Sequence, residues 1–179
     1  MHGVKWGKSA EMISKPYLSL YFSNIANTSN IPLEKFFWHD GLPADAVRIK
    51  TIQTGTWNEK LTYSVTYKTN QGSGYKTLAA NLSSSTSHTL DCSPAALKLA
   101  SNEYITDIRF EFGIVKAGFH EDQSPAFIVT TLATLPDGHR IVNHTDVGGK
   151  SDDAEVAAQD QWVTVALGKP KGCLPRTGY

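Results

Sequence analysis

Six histidines (positions 2, 39, 88, 120, 139 and 144) and two cysteines (Cys92 and Cys173) are the residues of this 179-residue chain best suited to acid–base, nucleophilic or metal chemistry. Such sites are recognised by spacing. HExxH sets two histidines on one helical face, and GxSxG lifts a serine onto a sharp turn. Neither pattern occurs. His120, Glu121 and Asp122 form a local cluster, but beside Gly118 and Pro125 they read as a solvated loop. A histidine–carboxylate enzyme site would need at least two of His39, His120, His139 and His144 to converge. The GKS triplets at 7–9 and 149–151 have His2 and His144 where a phosphate loop needs its first glycine, so consecutive amides cannot curl round a phosphate. The expectation is a non-enzymatic chain with no cofactor and no metal.

Composition narrows the partners. Lysine plus arginine number 17 and aspartate plus glutamate 17, so no net field favours a polyanion, and nucleic acid is excluded as a partner. No window approaches the roughly 18 apolar residues of a membrane span. The cysteines read as two free thiols, with a Cys92–Cys173 disulfide clipping the tail to the body as the alternative. Trp6, Trp38, Trp57 and Trp162 raise a second alternative, a carbohydrate-binding module whose exposed rings stack on sugar faces. Asn27, Asn81 and Asn143 begin N-x-[ST] triplets, which are common by chance in a chain rich in serine and threonine.

The elements that would position these residues are strands. Ile108, Phe110, Phe112 and Ile114 alternate with Asp107, Arg109 and Glu111, and Leu61, Tyr63, Val65 and Tyr67 alternate with Thr62, Ser64 and Thr66. Leu18, Leu20 and Phe22 define another strand, and Val163, Val165 and Leu167 one more. LEKFFWHD, AVRIKTIQT, AFIVTTLAT and HRIVNHTDV are rich in β-branched and aromatic residues and are strands too. Gln71–Gly74 and Pro136–Gly138 read as hairpin-type turns, and Ser93-Pro94 as the cap and first residue of one short helix. SDDAEVAAQDQ reads as a polar loop before the last strand. The sum is an all-β chain of eight or nine strands in two antiparallel sheets, over 15–168, with an N-terminal stub at 1–14 and a flexible tail at 169–179.

Three stretches resemble a bacterial (Firmicutes) cell-surface repeat domain of the "VTNTG…TDTLP…NTATV" type. The matching residues are Ala26, Asn27, Thr28 and Asn30, then Asp40, Leu42 and Pro43, then Gly138, Asn143, Thr145 and Val147, and the likeness spans about 15 to 150. It implies an immunoglobulin-like β-sandwich used as a structural or adhesive module in an exported, wall-attached protein, next to neighbouring modules of the same chain. A host or glycan ligand is implied as a partner. The motifs themselves hold turns: Asn27 to Asn30 reverses the chain, and Pro43 ends a strand because it cannot donate to a ladder.

Leu174-Pro175-Arg176-Thr177-Gly178 matches the Leu-Pro-x-Thr-Gly sorting motif of Gram-positive surface proteins. The match implies that sortase cuts between Thr177 and Gly178 and joins Thr177 to a peptidoglycan amine. Proline pre-bends the peptide, and glycine leaves a cysteine nucleophile room to reach the Thr177 carbonyl. Such signals normally continue into an apolar segment and a basic tip, so the expectation is a secreted precursor whose signal and anchor segments are absent from this chain. Some sandwiches of these surface proteins also lock themselves with a Lys–Asn amide bond beside a buried carboxylate. Lys8 or Lys15, Asn143, and Glu111 or Asp40 are the candidates here.

Overall fold

Apolar residues at every second position need a second sheet to cover them, and this chain meets that need with two antiparallel sheets on one core. The computed structural model describes residues 3–6, 17–133, 135, 138–152 and 154–165. The chain runs through Gly3–Trp6 (β1), Tyr17–Tyr21 (β2), Leu33–Gly41 (β3), Val47–Gln53 (β4), Thr56–Trp57 (β5), Thr62–Thr69 (β6), Lys76–Ser83 (β7) and Thr89–Asp91 (β8). After a helix at Pro94–Leu97 (α1) come Ile105–Val115 (β9), Glu121–Gln123 (β10), Ala126–Thr131 (β11), Arg140–Ser151 (β12) and Ala154–Val165 (β13). The smaller main sheet has the order β1-β2-β11-β4-β8, the larger β13-β12-β3-β9-β6-β7, and β5 pairs with β10. The fold is therefore the all-β sandwich that the alternation predicts.

Trp38 of β3 joins the layers. Its indole lies 4.7 Å from Phe110 of the same sheet, 4.9 Å from Phe22 just past β2, and 5.5 Å from Phe127 of the facing sheet. Offset, tilted rings at these separations add to the area they bury. The indole N–H donates to Thr145 Oγ1 on β12 at 2.6 Å, so this buried polar group is satisfied.

Turn chemistry follows the sequence closely in three places. Buried Asn27 donates through Nδ2 to the Ile31 and Lys116 carbonyls and accepts through Oδ1 from the amide and hydroxyl of Ser29, a side-chain scaffold for the reversal. The Pro43 carbonyl accepts from the amides of Ala46 and Val47 just after β3 ends. Ser93 caps α1 by accepting from the Ala96 amide.

Elsewhere the strands depart from the expected pattern. In β9 the alternation holds to Phe112, but Gly113 adopts φ +77° and the pairing with β3 shifts register there, so Val115 is buried and Ile114 is 66% exposed. SDDAEVAAQDQ is not a loop: Ala154 onward pairs residue by residue with β12, turning at Asp152 with φ +55°. Residues 154–159 are exposed on both faces of this edge strand, so no alternation marks it. The strands flanking the expected turn at Pro136–Gly138, β11 and β12, belong to different sheets, and Pro136 and Asp137 themselves fall outside the described residues. Gly3–Trp6, within the expected stub, adds the edge strand β1 beside β2.

Trp38→Ala should cost about 3–5 kcal/mol, as for other buried aromatic truncations. Ile114→Ser should stay within about 0.5 kcal/mol. Urea denaturation of both variants checks the assignment, and equal losses would contradict the register shift at Gly113.

Candidate functional site

Two polar side chains point into this aromatic core. The alternation that turns Phe36 and Trp38 inward on β3 also turns Asp40 inward, and on β12 it does the same to Ile141 and Asn143. Thr145 pairs with Asp40 across the two strands, which sets Asn143 beside the carboxyl. Asp40 and Asn143 are 1% and 2% exposed, and Asn143 Nδ2 donates to Asp40 Oδ1 at 2.6 Å. The other two oxygens, Asp40 Oδ2 and Asn143 Oδ1, have no hydrogen-bond partner among the described residues. Buried acceptors left without donors are costly, and this pair leaves two of them open.

Burial pushes the Asp40 carboxyl up to about 8. The bond from Asn143 and the charge of His39 pull it down, and Asp107 and Asp146 add to the rise. A protonated carboxyl at neutral pH can donate as well as accept. The arrangement can therefore protonate or polarise the neighbouring amide carbonyl. Asp40, Asn27, Thr54, Thr69, Ser84 and Asn143 are the buried polar residues described, so no described lysine is buried at the pair.

The other candidate residues lie apart. Glu111 is on the outer face of β9, where Arg109 Nε is 3.7 Å from its carboxylate and Thr66 Oγ1 donates to it at 3.3 Å. The structure thus brings Asp40, and not Glu111, to Asn143. Lys8, Lys15, Cys173 and the motif Leu174–Gly178 fall outside the described residues. Cys92 is buried, and desolvation together with Asp91 pushes its thiol up to about 12, which makes it a packing group and no nucleophile. It lines a recess of about 400 Å³ with Arg48 and Tyr104, where the guanidinium lies 3.9 Å over the ring and donates to the Ala44 and Val47 carbonyls. Trp38 and Trp57 are core residues and cannot form a sugar platform; the side chains of Trp6 and Trp162 are outside the described set.

The histidines do not converge on one another by their contacts. His120 Nδ1 bonds the Glu121 carbonyl, His139 pairs with Asp45 at 3.2 Å, and His144 is exposed. Among the described residues no group of three ligating side chains could hold a metal ion. His39 is the exception in environment. On the outer face of β3 its Nδ1 meets Asp146 Oδ1 at 2.5 Å and its Nε2 meets Asp107 Oδ2 at 2.7 Å. Reading β3 by parity places His39 outward, but neither aspartate is local in sequence, so only the strand order β12-β3-β9 reveals the cluster.

No protein-family model matches the chain, and no curated protein matches it. Among solved structures, it is similar to the collagen-binding subdomain of the Enterococcus faecalis surface protein ACE at 10% identity, covering 92% of this chain and 96% of that one, with a TM-score of 0.37. It is also similar to the collagen-binding domain of a Staphylococcus aureus adhesin at 9% identity, covering 92% and 97%, with a TM-score of 0.32. The class defined by the chain's own sheets is the antiparallel β-sandwich.

The raised Asp40 carboxyl gives a pH dependence of known sign. Its folded-state pKa of about 8 lies above the ordinary 3.8, so the folded state binds the extra proton and stability falls as pH rises from about 4 to about 8. Asp40→Asn, which keeps the volume and cannot ionise, should remove that slope. Urea midpoints of both proteins across this range check it; identical slopes would contradict a buried, proton-binding Asp40.

Proposed function

We propose that this chain is a non-enzymatic structural or adhesive module of a cell-wall-anchored surface protein, a sandwich that locks itself through a Lys15–Asn143 amide bond. The observation that carries this reading is the buried Asp40–Asn143 pair, which leaves two acceptor oxygens open inside an otherwise apolar core. Lys15, two residues before Tyr17 in the sequence, is the proposed nucleophile and falls outside the described residues.

The reaction balances without a cofactor. The neutral lysine amine attacks Asn143 Cγ while Asp40 lends its proton to Oδ1; the C–Nδ2 bond then breaks, and Nδ2 leaves as ammonia with a proton from the amine. Asp40 recovers its proton as the new carbonyl forms. An apolar core suits both partners, because desolvation keeps an amine neutral and a carboxyl protonated. The product N–H would replace the Nδ2 donor that leaves, and the protonated Asp40 can donate to the new carbonyl.

The tail motif supports display on a wall: sortase would take Thr177 as an acyl group, release the chain from Gly178 onward, and pass Thr177 to peptidoglycan. A module fixed at its C-terminus bears load, and a covalent lock between the first and last parts of the sandwich suits that task.

Intact-mass measurement of the chain should show a loss of about 17 Da, the ammonia expelled by the lysine nucleophile. Asn143→Ala and Lys15→Arg should restore the full mass, and an unshifted wild-type mass rejects the lock. Incubation with a sortase and triglycine should yield a product joined at Thr177; an untouched tail rejects the anchoring half of the reading.

A further inference from the structure

His39 bridges three strands of the larger sheet on the face away from the core. Asp107 belongs to β9 and Asp146 to β12, so one imidazole links the sheet centre to the last hairpin through both ring nitrogens. We propose that His39 is a pH-operated clasp, which holds the β12–β13 hairpin to the sheet when the imidazole is protonated and releases it at Asp146 when the imidazole is neutral.

Donors and acceptors separate the two states. An imidazolium has two N–H donors and satisfies both carboxylates; a neutral ring has one, so one nitrogen lone pair must face a carboxylate oxygen at hydrogen-bonding distance. The two aspartates are not equally held. Asp107 Oδ1 accepts from Thr106 Oγ1 at 2.6 Å and lies 3.9 Å from Lys68 Nζ, and its side chain is 18% exposed. Asp146 is 31% exposed, and the side chain that meets its carboxylate is His39 itself. The bond to β12 is therefore the first to break.

The surrounding charges leave the clasp in control. From β9, Arg109 lies 3.9 Å over Phe37 and pairs with Glu111; from β6, Lys68 sits by Asp107; from β12, exposed His144 shares the outer face with Asp146 by parity and stands opposite Gly41, two residues along β3 from His39. Tyr75, between β6 and β7, has its hydroxyl raised by burial and stays neutral. Asp40 lies behind the sheet in the core. The bond to Asp107 outweighs burial, and Asp146 adds to it, so His39 titrates above its usual 6.5. With the folded value raised, the clasp's contribution is complete below about 6.5 and is lost as pH rises through the folded value.

The test is NMR titration of the His39 ring together with hydrogen exchange of the 144–147 amides, corrected for intrinsic rates and referred to the amides of β6. For each unit by which His39 titrates above about 6.5, protection at 144–147 should fall on the order of tenfold as pH passes that value. Asp146→Asn should lower the His39 titration and flatten the protection profile, while His120→Ala, whose ring bonds the Glu121 carbonyl away from this cluster, should leave both unchanged. A His39 ring titrating at or below 6.5 in the wild type overturns the proposal, whatever the variants do. So does an unaltered protection profile in Asp146→Asn.

Discussion

Strand β3 has two different neighbours and two different faces, and the strict alternation of its residues decides what each face can do. Inward, Phe36 and Trp38 fill the space between the sheets, and Asp40 follows them because side chains two apart share a face. Outward, Phe37 carries the Arg109 guanidinium and His39 meets two carboxylates. A slip of one residue would bury the histidine cluster and expose Trp38. That slip is resisted by the inter-sheet rings and by the indole bond to Thr145, which also fixes β12 against β3.

The same strand places two titrating systems back to back. Asp40 is driven towards its neutral form by the core, and His39 towards its charged form by Asp107 and Asp146. The sites are coupled in sign: positive His39 pulls the Asp40 carboxyl down, and the two aspartates push it up. Because the outer cluster carries two carboxylates for one imidazolium, both faces of β3 respond to proton concentration over neighbouring ranges.

Much of the fold was legible because half-buried strands write their burial into a period of two. Tyr63, Val65 and Tyr67, and Ile108, Phe110 and Phe112, are inward as the alternation predicts. What was illegible had a physical reason in each case. β13 is an edge strand with both faces wet, so backbone pairing to β12 forms it without any apolar code. Gly113 inserts a left-handed residue that swaps Ile114 for Val115, a shift no alternation rule foresees. β5, β8 and β10 are two or three residues long, too short to show a period. At the candidate site, Asp40 and Asn143 could each be suspected alone, but their pairing depends on β12 returning beside β3 across 103 residues.

That long return also bears on how the chain folds. β3 pairs with neither of its sequence neighbours: its partners begin at Ile105 and Arg140, so both flanks of the larger sheet's centre are supplied late. Topologies dominated by such distant contacts fold slowly, because loop closure precedes the reward of pairing. A polypeptide emerging amino end first would carry Phe36 and Trp38 bare until most of its length had followed. A holding chaperone, or arrest of the nascent chain in an extended form, would suit this sequence better than early local collapse.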